Sequence, residues 1–222
     1  QGLMKLDWRR SLAPAFTLAR QALVGLAIAA LLALPASRHL LEASMWRHMV
    51  LQYPLWMLAG ALLAAALPKR AHSGLARWNA SGISGLMLAG TALLVLMIPR
   101  VLDLALLHPP TEIAKSAALV ATGSALRLSW RRAGLVVQGF FLGNMLLMGI
   151  AIGQLYANSP LRLCNAYLLD DQVRLGHWLT GIFTAFAVAW LVQVAWWIMR
   201  READTQAMAG SAPRPSSHRA AP

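Results

Sequence analysis

The sequence predicts an all-α polytopic membrane helical bundle of about six transmembrane helices, with the N- and C-termini cytoplasmic. Three observations carry this. Of 222 residues, 58% are hydrophobic and only 13% charged, whereas a soluble domain carries nearer ~25% charged residues. Six long apolar runs follow one another along the chain, and basic residues collect in alternate connections between them. Crossing ~30 Å of hydrocarbon takes ~20 mostly apolar residues, so this length accommodates about six spans. The runs lack the alternation of barrel strands, and lipid offers no water to an open sheet edge, so a helical bundle is the solution left.

The runs cover residues 16–35, 45–67, 82–107, 113–128, 135–155 and 177–199. The first follows Arg9 and Arg10 and ends in "LPAS", which resembles a signal peptide. Its apolar stretch exceeds the usual ~7–15 residues, so an uncleaved helix is expected. The second contains His48 and Gln52, and the third ends near the proline of "MIPR". The fourth holds about sixteen residues and carries Lys115, so it is expected to be short, re-entrant or wrapped by its neighbours. The fifth and sixth are uninterrupted. Residues 1–15 form an N-terminal cytoplasmic segment, 16–199 the bundle, and 200–222 a tail rich in Ala, Ser and Pro that is expected to be disordered.

Orientation follows from the short connections. With the N-terminus inside, fourteen Lys and Arg residues fall on the cytoplasmic side and six opposite, and five of the eight carboxylates join those six. That bias is the positive-inside signal. It also accounts for the formal charge of +12 without nucleic acid, since the excess lies where anionic headgroups of the lipid bilayer are met. No zinc-finger spacing, Walker loop, HExxH or ordered Ser-His-Asp set occurs, and no enzymatic activity is expected. The single cysteine, Cys164, excludes an internal disulfide.

On the non-cytoplasmic side the expected topology gathers His39, Glu42, Met45, His48, Met49, Asp103, His108, Glu112, Cys164, Asp170, Asp171 and His177. Thioether and thiolate donors favour Cu(I), and imidazole suits copper in either oxidation state. His48, Met45, Met49, His177 and Cys164 are therefore the candidate metal ligands, with copper the candidate cofactor. The competing reading is a histidine hydrogen-bonded to a neighbouring helix and methionines that serve packing. In "NAYLLDDQVRLGHW", Asp170 or Asp171 is expected to cap the last helix, Gln172 and Arg174 to tie the loop to nearby helix ends, and His177 to face the interior. Asp170, Asp171 and Gln172 read as a structural gate over the periplasmic mouth.

"RHMVLQYPLWMLAGALLAAALP" resembles the second conserved segment of the CtaG-type cytochrome c oxidase assembly family. There a histidine–methionine pair and a further histidine one turn later precede an apolar stretch ending in proline. "LVLMIPRVLDLALLHPPTEIAKSAALVATGSALRLSW" is similar to the family's next segment, and Asp171–Gln172 to its "DQ" signature. This chain departs from the pattern at Gln52, at Ile98 and in "TEIAKSAA", where the family carries histidines. The resemblance implies a multi-pass protein of the bacterial inner membrane that serves assembly of a haem–copper oxidase by copper delivery or insertion on the periplasmic side. The alternative is a metal-free scaffold or accessory subunit. The implied partners are cytochrome c oxidase subunits or another copper-dependent membrane complex.

Overall fold

The computed structural model describes residues 17–210. Every regular element among them is a helix: α1 Leu18–Ala33, α2 Pro35–Glu42, α3 Tyr53–Leu63, α4 Lys69–Trp78, α5 Ile83–Leu96, α6 Pro99–Leu107, α7 Pro109–Trp130, α8 Leu135–Asn158 and α9 Leu169–Gly210. A π turn, Arg47–Gln52, leads into α3, and a 3-10 turn, Ala64–Ala66, closes it.

Proline explains the breaks. Leu34, Ile98 and His108 each precede a proline and adopt extended backbone, with ψ of 136°, 125° and 113°, because the ring disfavours the helical region for the residue before it. A new helix then starts on the proline, where no N–H is needed. As a result α1 and α2 meet at 72°, and α5 and α6 at 75°. Pro54 acts differently. Lying inside a continuous helical stretch, it donates no hydrogen bond back along the chain, and the widened π turn just before it takes up the mismatch. That turn buries His48, Met49 and Gln52 together.

Three helices are long and apolar enough to cross a membrane: Arg47–Ala66, Leu135–Asn158 and Leu169–Ala203. The count rises to five if each bent pair is one span. The third expected run, 82–107, is thus two helices with a sharp bend at Pro99. The fourth expected run is longer than expected: α7 has 22 residues, packs against α3, α5 and α6, and is not among the helices long and apolar enough to cross a membrane. Its polar residues are tolerated because neighbours wrap it. Gly60 and Gly123 bring α3 and α7 together so closely that a β-carbon on either would strike the other helix's backbone. This contact sets Lys115 of α7 opposite His48 and Gln52.

α8 and α9 form a hairpin beside this core. Gly149 seats Phe183 and Gly153 seats Thr180, the small-residue packing by which helices associate in lipid. Leu147, Phe186, Leu191 and Trp196 remain exposed, as the outer face of a membrane helix must. Arg200 and Arg201 lie over Trp196 and Trp197, at 3.6 and 3.7 Å from the ring centroids, an aromatic-cation girdle suited to a bilayer interface. α9 continues beyond that girdle to Gly210, where the sequence places a disordered tail from residue 200 onward. "READTQAMA" consists mostly of strong helix formers, so a helix already started keeps going. The rest of the tail, 211–222, and the segment 1–15 lie outside the described residues.

The connections sort into two ends. Segments 34–46, 97–112 and 159–172 meet at one, linked by Ser44–Asp171, Tyr167–Glu42, Arg38–Glu112 and Cys164–Asp103 contacts. It holds five carboxylates and is here termed the acidic end. Segments 67–83 and 127–134 meet at the other through Asn79, Ser129 and Arg132; this is the basic end.

Candidate functional site

The acidic end contains a buried node of charged groups centred on Lys115. Its side chain is almost fully enclosed, at 1% exposure, which is unusual for an ammonium unless several partners converge on it. Four do. Nζ lies 2.7 Å from His48 Nε2 and 3.4 Å from Gln52 Oε1. It also lies 2.6 Å from Glu112 Oε2 and 4.0 Å from Glu42 Oε1. The Glu112 contact is a close ion pair without hydrogen-bond alignment, so that oxygen is satisfied by charge alone. Arg38 completes the set from the rim, with Nε 3.3 Å from Glu42 and 3.8 Å from Glu112. Two cations thus face two carboxylates, and the node carries no net charge beyond the imidazole.

The hydrogen-bond inventory fixes the imidazole's state. Tyr167 donates its only hydroxyl proton to the Glu42 carbonyl at 2.8 Å, and burial, then Glu42, raises the phenol's pKa so that it stays protonated. His48 Nδ1, 2.9 Å from the same Oη, must therefore be the donor of that pair. Nε2 is left as an acceptor, and Lys115 donates to it. The imidazole is neutral and both of its nitrogens are engaged.

A second node lies beside the first. Asp103 of α6 accepts from Cys164 Sγ at 2.7 Å, from the Asn165 amide at 2.8 Å and from the Ala166 amide at 3.0 Å. Gln172 works in the same way on the other side of the connection. Its Oε1 accepts from the Leu163 amide, and its Nε2 donates to the Tyr156 and Leu161 carbonyls. Between them the two residues fasten the 159–168 connection by its backbone. Cys164 is 1% exposed, and burial together with the Asp103 carboxylate pushes its thiol up to about 12.

These positions separate the five candidate ligands. His48, Met45 and Met49 are buried in one stretch of chain, but Nε2 of His48 is taken by Lys115. Cys164 belongs to the Asp103 node. His177 does not face the interior as expected: it is exposed, because Gln172, Leu175, Gly176 and Leu179 form the buried stripe of α9 and leave His177 on another face. Among the described residues no group of three or more His, Cys, Asp or Glu is arranged to hold a metal ion.

Gln172 ties the connection down, and Arg174 lies over Trp46 at 5.6 Å, which in turn stacks on Trp178. Neither aspartate sits at the cap position, however. α9 begins at Leu169, so Asp170 and Asp171 occupy its first turn. There they still complement the helix dipole, and Asp171 accepts from Ser44 at 3.2 Å.

Lys115, Glu112, Glu42, Arg38 and Tyr167 are the members that the reading of the sequence left out of the site. Lys115 and Glu112 carried a signal: ionisable residues in a membrane helix face a bundle interior and find one another, and the two stand three residues apart. Tyr167 carried none that separates it from a packing residue. Compared with models of known protein families, with curated proteins and with solved structures, the chain matches none.

Proposed function

We propose that this chain is a six-span protein of the bacterial inner membrane, with both termini cytoplasmic, that serves the assembly of a haem–copper oxidase or another copper-dependent membrane complex as a metal-free accessory. The orientation rests on the fourteen-to-six distribution of basic residues. α7 is read as the sixth span: its charged residues Glu112 and Lys115 are buried among its neighbours, and Ile113, Ala114, Ala117 and Ala121 are exposed. No chemical reaction is assigned to it.

One observation carries the metal-free reading. At two departures from the CtaG-type pattern this chain has Gln52 and, within "TEIAKSAA", Lys115; the ammonium of Lys115 reaches both His48 Nε2 and Gln52 Oε1. A tethered cation thus stands against the imidazole nitrogen that a copper ion would use. Cu(I) would have to displace an ion-paired ammonium, and the Gln52 carbonyl is a hard donor that compensates poorly. His48, Asp103, Asp171 and Gln172, which stand in the stretches that carry the resemblance, lie at the acidic end. That end is the surface proposed for contact with the partner complex.

The test has two parts. Under reducing conditions, detergent-purified wild type should retain no Cu(I), whereas Lys115→Met should gain affinity that is lost again in His48→Ala/Lys115→Met. Stoichiometric Cu(I) on wild type that depends on His48 would replace the metal-free reading with copper delivery. Separately, deleting the gene should lower the amount of spectroscopically intact oxidase, and both wild type and His48→Ala should restore it. Unchanged copper-enzyme levels in the deletion strain would sink the assembly role.

A further inference from the structure

The basic end carries a feature that the proposed function does not use. A groove of about 580 Å³ opens between α4, α5 and α7, walled by Leu75, Trp78, Leu88 and Leu128. This volume lies within the ~300–1,000 Å³ of small-molecule sites. Gly74 also borders the groove, and a β-carbon on it would meet no atom within 4 Å. Trp78 is 86% exposed, so its indole stands beside the groove without being packed away.

The charge around the groove is of one sign. Stretches 67–83 and 127–134 contain Lys69, Arg70, Arg77, Arg127, Arg131 and Arg132 and not one carboxylate. Arg127 is committed to the Ala61 carbonyl and Gln21, and Arg132 reaches the Asn79 carbonyl. Arg70, Arg77 and Arg131 are exposed. Helical spacing puts Ala71, Leu75 and Trp78 on one stripe of α4, and Arg70, Gly74 and Arg77 on the stripe beside it. The short helix therefore presents an apolar strip to the groove and a basic strip along its edge.

We propose that this groove binds one anionic phospholipid from the adjoining leaflet, with an acyl chain between Leu75, Trp78, Leu88 and Leu128 and the phosphate on Arg70 and Arg77. Complementarity of charge selects the occupant. A zwitterionic lipid fills the groove equally well but brings no net charge to a strip without carboxylates. A free anion meets the arginines and leaves the apolar walls uncovered. Basic pockets between membrane helices have this headgroup preference as a general property, and an exposed indole at the rim matches the headgroup depth at which Trp is enriched. The site is independent of the Lys115 node, at the opposite end of the bundle.

Native mass spectrometry of the delipidated protein in detergent, titrated with phosphatidylglycerol or phosphatidylcholine, tests this directly. Wild type should retain one phosphatidylglycerol in preference to phosphatidylcholine, and excess inorganic phosphate should not displace it. Arg70→Gln/Arg77→Gln should weaken retention by about 30-fold, from roughly a fivefold effect per basic residue near a membrane surface. Gly74→Leu, which adds an apolar side chain at the border of the groove at unchanged charge, should abolish preferential retention, while Arg100→Gln at the acidic end should behave as wild type. Equal melting temperatures across the variants would show that each is folded. Equal retention of the two lipids by wild type, displacement by phosphate, or wild-type retention by Gly74→Leu would each overturn the proposal.

Discussion

The two buried polar nodes of the acidic end are neighbours but are built on opposite plans. Around Lys115 the contacts run from side chain to side chain: His48, Gln52, Glu42, Glu112 and Arg38 arrive from three separate stretches of chain. Around Asp103 two of the three donors are backbone amides. A node of the first kind can be exchanged as a set, since the helices that carry it are held by their own packing. A node of the second kind dictates the path of the chain. The lesson is where variation can enter: the Lys115 node can change its chemistry without changing the fold, and the Asp103 node cannot.

The largest expected effect tests that exchangeability. Lys115→Met leaves Glu112 and Glu42 facing only Arg38, and removing one partner from a buried ion pair costs about 3–5 kcal/mol. Thermal unfolding in detergent should show a correspondingly large loss. Lys115→Met/Glu112→Gln should recover most of it, because removing a buried pair together is often close to neutral. If the double variant is as unstable as the single, the node is holding the helices in place, and the contrast with Asp103 disappears.

Asp103→Ala comes next. It strands the Asn165 and Ala166 amides and the Cys164 thiol, at a cost on the order of 3 kcal/mol, and no second substitution should rescue it, because the partners are main chain. Cys164 reports the same event chemically. With its thiol pushed up to about 12, alkylation of wild type at pH 8 should be slower than that of an ordinary exposed cysteine by roughly 10³ from thiolate fraction alone. Asp103→Ala should accelerate it strongly. The sign of the linkage is set by a folded pKa above the unfolded one. The proton on the buried thiol therefore favours the fold below about pH 9, and that contribution is lost as pH rises towards 12. Rapid wild-type alkylation at pH 8 would show that the loop opens freely and that Asp103 does not fasten it. The same burial makes Cys164 unsuited to reporting sidedness, for which Asn165→Cys, exposed in the same connection, is the appropriate probe.

Legibility in the sequence divides along similar lines. Six helical stretches, their order, the wrapping of the fourth and the role of Gln172 follow from apolar run length, proline positions and the cost of an unpaired polar group in lipid. The bends at Pro35 and Pro99 were marked by the prolines, but their angles depend on what the next helix packs against. The candidate ligands were grouped by side of the membrane, which composition supports, yet proximity is a tertiary property. Cys164 and His48 share an end and belong to different nodes. His177 was placed inward on nearness to the loop, where the helical phase set by Leu175 and Leu179 decides otherwise. Lys115 was noticed only as an obstacle to a membrane span, though an obstacle of that size required partners.

The smallest expected effect concerns the link between the two plans. Asp171 is neither in the Lys115 node nor on the backbone of the 159–168 connection; it accepts one hydrogen bond from Ser44, at 3.2 Å, and stands in the first turn of α9. Asp171→Asn keeps an acceptor for Ser44 and removes the charge from the helix N-terminus, so the loss should be limited to the dipole term of about 0.3–1 kcal/mol. Asp171→Ala also removes the acceptor, adding roughly 0.5–1.5 kcal/mol for a single hydrogen bond. Neither change should alter the amount of mature oxidase beyond what the lowered protein level accounts for. Melting temperatures should therefore fall in the order wild type, Asp171→Asn, Asp171→Ala, and Ser44→Ala should resemble the difference between the last two. Should Asp171→Asn abolish maturation while protein level and melting temperature stay at wild-type values, the carboxylate charge itself would be functional. The acidic end would then contain a third kind of node, defined by charge presented to a partner rather than by packing.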